Sequence, residues 1–297
     1  MTDTQVTVDG RVIRLRNLEK VLYPEAHFTK GEVVAYYAKV ADVMLPHLAG
    51  RPLTMHRFPD GVEAGSFFEK NIPAHAPDWI DSVRLGRTTH AVLGERAGIV
   101  WAATMAALEL HVPMGTAAAP DVPTSVVFDL DPGPGVDVVG CARLALDIRA
   151  LLEHVGLECW AKTSGSKGMQ VYLPLNSDVT YDDTTPFAHG VAKLLEKQQP
   201  DFVTSVMARN QRHGKVFVDW SQNTTHKTTV CVYSLRPRAR PTVSTPLTWE
   251  EVAAAVGAGD AERLSFEAGD VLDRVEQLGD LFGPVLTTEQ ALPEFGA

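Results

Sequence analysis

Two aspartates at alternate positions of one short segment are the residues of this sequence best suited to carry out chemistry. Ser125–Phe128 has the composition of a strand, and Asp129 and Asp131 follow it. Because the side chains of a strand alternate between its two faces, both carboxylates point the same way. Like charges on one face repel, and hard divalent cations such as Mg²⁺ or Mn²⁺ commonly offset such a pair. The ordinary alternative is an aspartate-rich strand end, since Pro132-Gly133 then forms a turn.

A third carboxylate, Asp219, stands near the end of a later predicted strand, 215–220. From residue 125 to residue 220 the predicted elements follow the order β-α-β-β-α-β, which is the ferredoxin-like arrangement. The first and fourth strands are neighbours in that topology, so we expect Asp219 to face Asp129 and Asp131. Three carboxylates on one sheet face leave room for two hard cations about 3.5–4 Å apart, the geometry of two-metal phosphoryl transfer.

A Gly-rich turn between two strands of the same predicted sheet supplies groups that bind phosphate. Residues 163–168 read T-S-G-S-K-G, in which Ser164 offers a hydroxyl donor and Lys167 a point charge. Such a turn alone is weak evidence, and it lacks the spacing of a P-loop. Gln222 follows the predicted strand that ends near Asp219, Arg236 follows the strand after that, and both are expected to complete a triphosphate site. Arginine suits this role because its planar guanidinium binds phosphate oxygens two at a time.

The N-terminal part carries a candidate anion site. Residues 29–32 read T-K-G-E, a capping-box pattern that predicts a helix with apolar residues to Leu48, closed by Gly50. Lys30 then lies in the first turn, where unpaired N–H groups and the helix dipole favour an anion. Lys20 offers a second cationic arm. The alternative is that Lys30 is an ordinary surface residue.

Adjacent phenylalanines and one histidine have two interpretations each. Phe67 and Phe68 face opposite sides if they lie on a strand, so one of them is expected to be exposed and able to stack on a base. The alternative is a strand buried on both faces. His111 ends an apolar segment, 97–110, and a histidine in that position is more often a satisfied core residue than a ligand.

Composition excludes several classes of protein. The chain has 297 residues, a net charge of −10 and three distant cysteines, which indicate one large or two packed domains in a reducing cytoplasm, without zinc or disulfides. No signal peptide and no apolar run long enough for a membrane span is found, so no membrane partner is expected. The basic clusters at 11–30, 209–215 and 227–240 are, individually, most simply solvated faces.

Turn residues and hydrophobic periodicity predict the remaining secondary-structure elements. A hairpin is predicted around Asp9-Gly10, and the segment 114–123 is the best boundary between two halves. Hydrophobic periodicity predicts helices at 138–155, 184–198, 250–256 and 271–285, and strands at 158–161, 169–175, 215–220 and 228–235.

Several blocks of the sequence, in this order along the chain, resemble the polymerase domain of bacterial ATP-dependent DNA ligase D, a member of the archaeo-eukaryotic primase superfamily. These blocks are N-L-E-K-V-L-Y-P, T-K-G-E, F-F-E-K, A-L-E-L-H-V-P, V-F-D-L-D-P-G, T-S-G-S-K-G, K-V-F-V-D-W-S-Q-N and Y-S-L-R. The resemblance covers nearly the whole chain from residue 17. It implies an α+β fold in which an RRM-like (ferredoxin-like) catalytic sheet packs against an N-terminal α/β module.

The resemblance also implies roles for individual residues. Asp129, Asp131 and Asp219 match catalytic metal ligands for two Mn²⁺ or Mg²⁺ ions. The nucleotide-binding positions of the family are matched by His111, Ser164, Lys167, Gln222 and Arg236. Its pocket for the 5′-phosphate of a break or gap is matched by Lys20 and Lys30, and the aromatics that stack at the template are matched by Phe67 and Phe68.

The resemblance also predicts the domain organisation and the function of the chain. The chain is expected to be a single primase-polymerase domain over 1–297, with a DNA-binding module at about 1–117, a catalytic core at about 118–240 and a helical segment at about 241–297. As a nucleotidyltransferase it would add nucleotides, preferring NTPs over dNTPs, at DNA breaks or short 5′-phosphorylated gaps in non-homologous end joining or excision repair. A separate DNA ligase and other repair proteins are the expected partners, and the bacterial nucleoid is the expected location.

Three alternatives stay open at this point. The sequence contains no nucleotidyl-lysine motif K-x-D-G, so the chain is either a domain cut from a longer ligase or a stand-alone relative that works beside one. A primase that starts strands without a primer is a second function compatible with the fold. A DNA-end-binding scaffold that holds two ends together is a third, although the acidic triad argues against a purely structural role.

Overall fold

The computed structural model describes residues 4–293 and shows a mixed α/β fold. The strands are β1 (Thr4–Val8), β2 (Arg11–Leu15), β3 (Val21–Tyr23), β4 (Phe28–Thr29), β5 (Thr54–Arg57), β6 (Phe67–Glu69), β7 (Asp81–Leu85), β8 (Thr88–Val92), β9 (Ala107–Val112), β10 (Ser125–Pro132), β11 (Trp160–Thr163), β12 (Met169–Pro174), β13 (Val203–Thr204), β14 (Val216–Asp219), β15 (Thr229–Val230) and β16 (Pro246–Leu247). The α-helices are α1 (Lys30–Leu48), α2 (Arg96–Thr104), α3 (Val138–His154), α4 (Tyr181–Gln198), α5 (Trp249–Ala258) and α6 (Ala268–Leu278). Short 3₁₀ turns cover Arg209–Gln211, Trp220–Gln222, Ala261–Leu264 and Gly283–Leu286.

The chain forms two compact units that are discontinuous in sequence. Of the described residues, unit 1 contains 4–118, 228–244 and 266–280, and unit 2 contains 119–227, 245–265 and 281–293. The first change of unit falls inside the segment 114–123, where a boundary is predicted. Beyond residue 227 the units differ from the three consecutive segments expected from the sequence, because 228–244 and 266–280 return to unit 1.

A six-stranded sheet in the order β13-β14-β10-β12-β11-β16 forms the centre of unit 2. The strand that carries Asp129 therefore lies between β12 and β14, and both pairings are antiparallel. Helices α3 and α4 contact β10. Phe128 and Leu130, which alternate with the aspartates, are fully buried. The alternation of this one strand thus gives apolar side chains to the core and acidic side chains to the opposite face.

A four-stranded sheet in the order β15-β9-β5-β6 forms the centre of unit 1. Next to it, α1 begins at the predicted capping box, in which Thr29 accepts from the N–H of Glu32 while the Glu32 side chain accepts from the N–H of Thr29. The buried side of α1 includes Val33, Tyr37, Val40, Met44 and Leu48. The hairpin β1–β2 turns at Asp9-Gly10 as predicted, and both residues have positive φ.

Two of the predicted elements are wrong in length, and each has a local cause. The strand expected at 228–235 is limited to β15, because Tyr233 has φ of 67° and turns the chain. The helix expected at 271–285 ends at Leu278, where Gly279 has φ of 66°. None of the helices in residues 4–293 combines the length and the apolar character that a membrane span requires.

Candidate active site

The three predicted aspartates lie on two paired strands. Asp129 of β10 is directly opposite Asp219 of β14, and Asp131 lies two residues further along β10. Directly opposite residues of antiparallel strands share a face, as do residues two apart on one strand. The three carboxylates therefore belong to one face and one end of the sheet. The adjacency that the topology predicted is present.

Burial and mutual repulsion act together on this acidic group. Burial, followed by the charges on Asp131 and Asp219, raises the pKa of Asp129 to about 7, although a hydrogen bond from Gln170 and the charge on Lys162 oppose the rise. The charge on Lys162 does not offset the combined effect of burial and of the two neighbouring carboxylates, so an ionised Asp129 needs further positive charge. Bound divalent cations would supply that charge, so the chemistry of these side chains fits a metal site.

Hydrogen bonds hold the aspartates in their present positions. Asp219 Oδ1 accepts from the backbone N–H of Ser221 at 3.0 Å and from its hydroxyl at 2.6 Å. Gln222 Nε2 donates to Asp219 Oδ2 at 3.1 Å and lies 3.5 Å from Asp129 Oδ2. Gln222 Oε1 is buried, and among the described residues it has no hydrogen-bond partner. This amide oxygen is an acceptor that a bound nucleotide or a hydrated cation could use.

The acidic side chains are not arranged as a closed metal cage. Within residues 4–293 no group of three or more His, Cys, Asp or Glu side chains is close enough together to hold a metal ion. Asp131 is exposed, and Asp219 is turned towards Ser221. Binding at this site would require these side chains to rotate towards a shared ion. Metal binding by the triad therefore stays a prediction.

Sequence reasoning missed two buried polar residues beside Asp129. Gln170 lies opposite Asp129 on β12, and Lys162 lies opposite Gln170 on β11, so all three share a face of the sheet. Lys162 is fully buried and Gln170 is 4% exposed. The signal was present in the sequence, since each residue interrupts a short apolar strand. Without the strand order, however, nothing connected them to the aspartates.

The predicted phosphate turn connects β11 to β12 and is held by its own hydrogen bonds. Ser164 Oγ accepts from the N–H groups of Ser166 at 3.2 Å and Gly168 at 3.1 Å. Gly165 has φ of 66°, a conformation that glycine adopts without strain. Beside the turn, an open depression of about 580 Å³ is lined by residues that include Ser166 and Lys167. The turn therefore places Lys167 next to accessible space.

Gly168 brings the phosphate turn into contact with the strand that bears the aspartates. A Cβ atom at position 168 would lie 2.1 Å from the carbonyl oxygen of Leu130, the residue between Asp129 and Asp131. A separation of this size means that any side chain at position 168 must displace β10. Glycine is thus required here by space, and the turn and the acidic strand form one rigid element.

The Gly168→Ala protein is expected to lose about 1–3 kcal/mol of stability through overpacking. It is also expected to lose nucleotide addition, because the displaced strand carries Asp129 and Asp131. Gly190→Ala in α4 is the matched control, since a Cβ atom there meets nothing within 4 Å. The control is expected to gain about 0.5–1 kcal/mol, because alanine is the better helix former. Urea denaturation checks the stabilities, and equal stability of the two variants would contradict the packing argument.

Unit 1 carries a buried carboxylate that connects several of the predicted residues. Glu109 of β9 lies 2.6 Å from Arg236 Nε, 3.2 Å from His111 Nε2 and 2.6 Å from His56 Nδ1. Burial raises the pKa of Glu109, but hydrogen bonds from His111 and His56 and the charge on Arg236 outweigh it and hold the pKa well below its usual range. Sequence reasoning found His111 and Arg236 and missed Glu109. The feature of the sequence that could have revealed Glu109 is its position as a single glutamate inside the apolar segment 107–112.

Lys20 and Lys30 lie in a positively charged region of unit 1. Burial, followed by the charges on Lys20 and Arg57, lowers the pKa of Lys30. Lys30 Nζ donates to the carbonyl oxygen of Arg16 at 3.0 Å, and Lys20 forms an exposed ion pair with Asp60 at 2.6 Å. Exposed ion pairs of this kind contribute little, so Lys20 can exchange its partner for another anion. Lys30 also lines an open cavity of about 590 Å³.

Both predicted phenylalanines are exposed, rather than only one. Phe67 and Phe68 are 45% and 56% exposed, because β6 is a three-residue strand at the edge of its sheet. The guanidinium of Arg57 lies 5.2 Å from the ring centroid of Phe67, and the His56 ring stacks on Phe68 at 3.9 Å. Solvated aromatic rings on opposite faces of one strand are available for stacking on bases.

Comparison with known proteins places this geometry in a family. Residues 29–282 match the family described as LigD, primase-polymerase domain. The multifunctional non-homologous end joining protein LigD of Mycolicibacterium smegmatis is 43% identical over 279 residues, which is 92% of this chain and 36% of that protein. The bifunctional non-homologous end joining protein LigD of Bacillus subtilis is 32% identical over 268 residues, or 90% of this chain and 43% of that protein. The chain thus spans about a third to two fifths of the length of these relatives.

A solved structure shows the same fold over nearly the full length of both chains. The polymerase domain of Mycobacterium tuberculosis ligase D, solved in complex with DNA, superposes with a TM-score of 0.86 at 41% sequence identity. The match covers 94% of this chain and 99% of that one. At this level of identity the likeness extends beyond the fold to the family.

Proposed function

The chain belongs to the LigD primase-polymerase domain family, a family of nucleotidyltransferases, and we propose that it adds nucleotides to a DNA primer at breaks or short gaps. The observation that carries the proposal is the pairing of Asp129 with Asp219, with Asp131 on the same face. The sheet order in unit 2 supports assignment of the finer architecture as an RRM-like catalytic sheet.

The acidic residues would hold two divalent cations, Mn²⁺ or Mg²⁺. When bound, such ions lower the pKa of a primer 3′-hydroxyl and neutralise charge on the triphosphate and on departing pyrophosphate. The primer 3′-oxygen forms a bond to the α-phosphorus, and the bond from that phosphorus to the bridging oxygen of pyrophosphate breaks. Asp129, Asp131 and Asp219 supply the negative charge that attracts the ions, and Gln222 positions two of these carboxylates.

The residues proposed to bind the nucleotide carry a hydroxyl, an amide, an imidazole and positively charged groups. In unit 2, Ser164 and Lys167 offer a hydroxyl and a cation for the triphosphate, and Gln222 adds an amide. In unit 1, Arg236 and His111 offer a guanidinium and an imidazole. Fixed positive groups stabilise the charge that develops during phosphoryl transfer without reorganising. A preference for ribonucleotides is proposed on the family resemblance.

DNA is the proposed macromolecular partner, with the end joining role taken from the relatives. Phe67 and Phe68 would stack on template bases, while Lys20 and Lys30 would bind the 5′-phosphate on the far side of a gap. Contacts to phosphates fix register without reading sequence, as repair of arbitrary ends requires. A DNA ligase and other repair proteins are the proposed protein partners, and the chromosomal DNA of a bacterial nucleoid is the proposed location.

Primer extension on a short gap with a 5′-phosphate tests the proposal. Parallel reactions compare Mn²⁺ with Mg²⁺, NTPs with dNTPs, and a primed gap with a primer-free single strand. Extension of the primed gap is the expected result. Failure with every metal and nucleotide would refute the polymerase, and strand synthesis without a primer would favour the primase. DNA-end binding without extension would favour the scaffold.

The Lys30→Ala protein is expected to bind 5′-phosphorylated gaps about tenfold more weakly, since a charge-assisted hydrogen bond to phosphate is lost. Its binding to otherwise identical 5′-hydroxyl gaps is expected to change less than about twofold. Lys39→Ala removes an exposed lysine from the same helix and is the matched control. Fluorescence anisotropy measures each Kd. Equal losses on both gaps would remove the phosphate role of Lys30.

A further inference from the structure

Phe68, His56 and Glu109 lie directly opposite one another on three adjacent strands, β6, β5 and β9. Opposite residues of antiparallel strands share a face, so their side chains form one row across the sheet. The rings of Phe68 and His56 stack with centroids 3.9 Å apart and planes at 15°. His56 Nδ1 lies 2.6 Å from Glu109 Oε2. The row runs without interruption from an exposed aromatic ring to a buried carboxylate.

The same carboxylate holds the two residues of unit 1 to which the proposed function assigns nucleotide contacts. Glu109 Oε1 lies 2.6 Å from Arg236 Nε, and Oε2 lies 3.2 Å from His111 Nε2. The Glu109 side chain is 5% exposed, so solvent screens these contacts weakly. One carboxylate therefore sets the orientation of a guanidinium and of two imidazole rings.

The geometry points to Glu109 as a positioning residue for nucleotide addition, coupled through His56 to the ring of Phe68. This inference rests on the proposed function, which gives Phe68 its template base and gives His111 and Arg236 their nucleotide. A base stacked on Phe68 restricts the His56 ring, the restricted ring holds the Glu109 carboxylate, and Glu109 holds Arg236 and His111. Seating of the template thereby tightens nucleotide binding, and the nucleotide tightens template stacking to the same extent.

Steady-state kinetics of Glu109→Gln test the positioning role. The KM for the nucleotide is expected to rise about tenfold, because Arg236 loses its ion-pair partner and the hydrogen bond between His111 and residue 109 loses its negative charge. The kcat is expected to fall much less, since the acidic residues of unit 2 are unchanged. Glu109→Asp keeps the charge but shortens the side chain, so it is expected to raise KM by a smaller factor. An unchanged KM in either folded variant would overturn the role.

Asp280→Asn is the matched control for Glu109→Gln. Asp280 is a half-buried carboxylate of unit 1 that, like Glu109, contacts a histidine and a second polar partner, His47 at 2.9 Å and Tyr233 at 2.6 Å. Its substitution is expected to lower thermal stability without changing the KM. A KM increase equal to that of Glu109→Gln would show that general destabilisation causes the effect and would overturn the inference.

Binding of a non-hydrolysable nucleoside triphosphate to the protein–DNA complex tests the coupling. Phe68→Ala is expected to weaken nucleotide binding about fivefold in otherwise wild-type protein, the lower end of typical coupling between sites. His56→Asn keeps a nitrogen near the position of Nδ1 for Glu109 but removes the ring that stacks on Phe68. In that background Phe68→Ala is expected to have a smaller effect on nucleotide binding, because the stack on His56 is gone and only the edge contact of Phe68 with the His111 ring, 5.8 Å between centroids, is left to be lost.

The outcomes of this double-mutant cycle of Phe68→Ala and His56→Asn distinguish failure of the inference from failure of the function on which it rests. Equal effects of Phe68→Ala with and without His56 would overturn the coupling while leaving polymerase activity intact. Wild-type protein that extends no primer and binds no nucleotide would instead refute the proposed function, and the inference with it.

Discussion

The Asp129→Asn protein is expected to lose nucleotide addition by about two to three orders of magnitude, the loss that follows removal of one preorganised electrostatic group from an active site. The same protein is expected to be more stable than the wild type in EDTA. Asp129 is half-buried, and desolvation, followed by the charges on Asp131 and Asp219, raises its pKa to about 7, so its ionisation opposes folding near neutral pH. Replacing this carboxyl group by a neutral amide is expected to raise the free energy of unfolding by at least about 1 kcal/mol, the equivalent of one pKa unit.

Loss of activity together with gain of stability distinguishes an active-site carboxylate from a structural one. Extension assays and urea denaturation in EDTA measure the two effects, and DNA binding is expected to stay unchanged. Asp121→Asn, an exposed aspartate ahead of β10 in the same unit, is expected to change neither quantity. Retained extension by Asp129→Asn would refute the catalytic role. A less stable variant would refute the account of repulsion.

The Glu109→Ala protein is expected to lose about 3–5 kcal/mol of stability, because removing one partner leaves buried charge uncompensated. Arg236 is the main residue affected, and its side chain is 19% exposed. The exposed pair between Arg11 and Glu95 provides the control. Glu95→Ala is expected to lose about 0–1 kcal/mol, as exposed ion pairs do.

This stabilisation by Glu109 is expected to depend on pH in one direction. The folded-state pKa of Glu109 lies well below its usual range, so its contribution is fully present above the unfolded-state pKa. It is lost as pH falls from about 4 through the folded-state pKa. The difference in unfolding free energy between wild type and Glu109→Ala should therefore be largest at neutral pH and shrink in acid. A difference that stays constant from pH 7 to pH 3 would contradict the ionic account.

Local patterns in the sequence were sufficient wherever the physical cause was local. The capping box at 29–32, the turn at Asp9-Gly10 and the helix over 138–155 depend on residues within one turn of each other, and the structure shows all three. Element ends were predicted less well. Strand β15 ends at Val230 ahead of a turn in which Tyr233 has positive φ, and nothing in the sequence around this non-glycine residue indicated the turn.

The sequence by itself determined which residues could do chemistry: two aspartates at alternate positions of a strand, a third at the end of another, and a polar turn between strands. Only the tertiary structure decided that Asp219 pairs with Asp129, that Gly168 is pressed against Leu130, and that Glu109 joins His56, His111 and Arg236. The reason is that strand order and register bring together residues far apart in the chain. Burial then strengthens the electrostatic interactions of a charged side chain, because solvent screens them less. Neither the register between strands nor the burial of a side chain can be read from residue spacing along one strand.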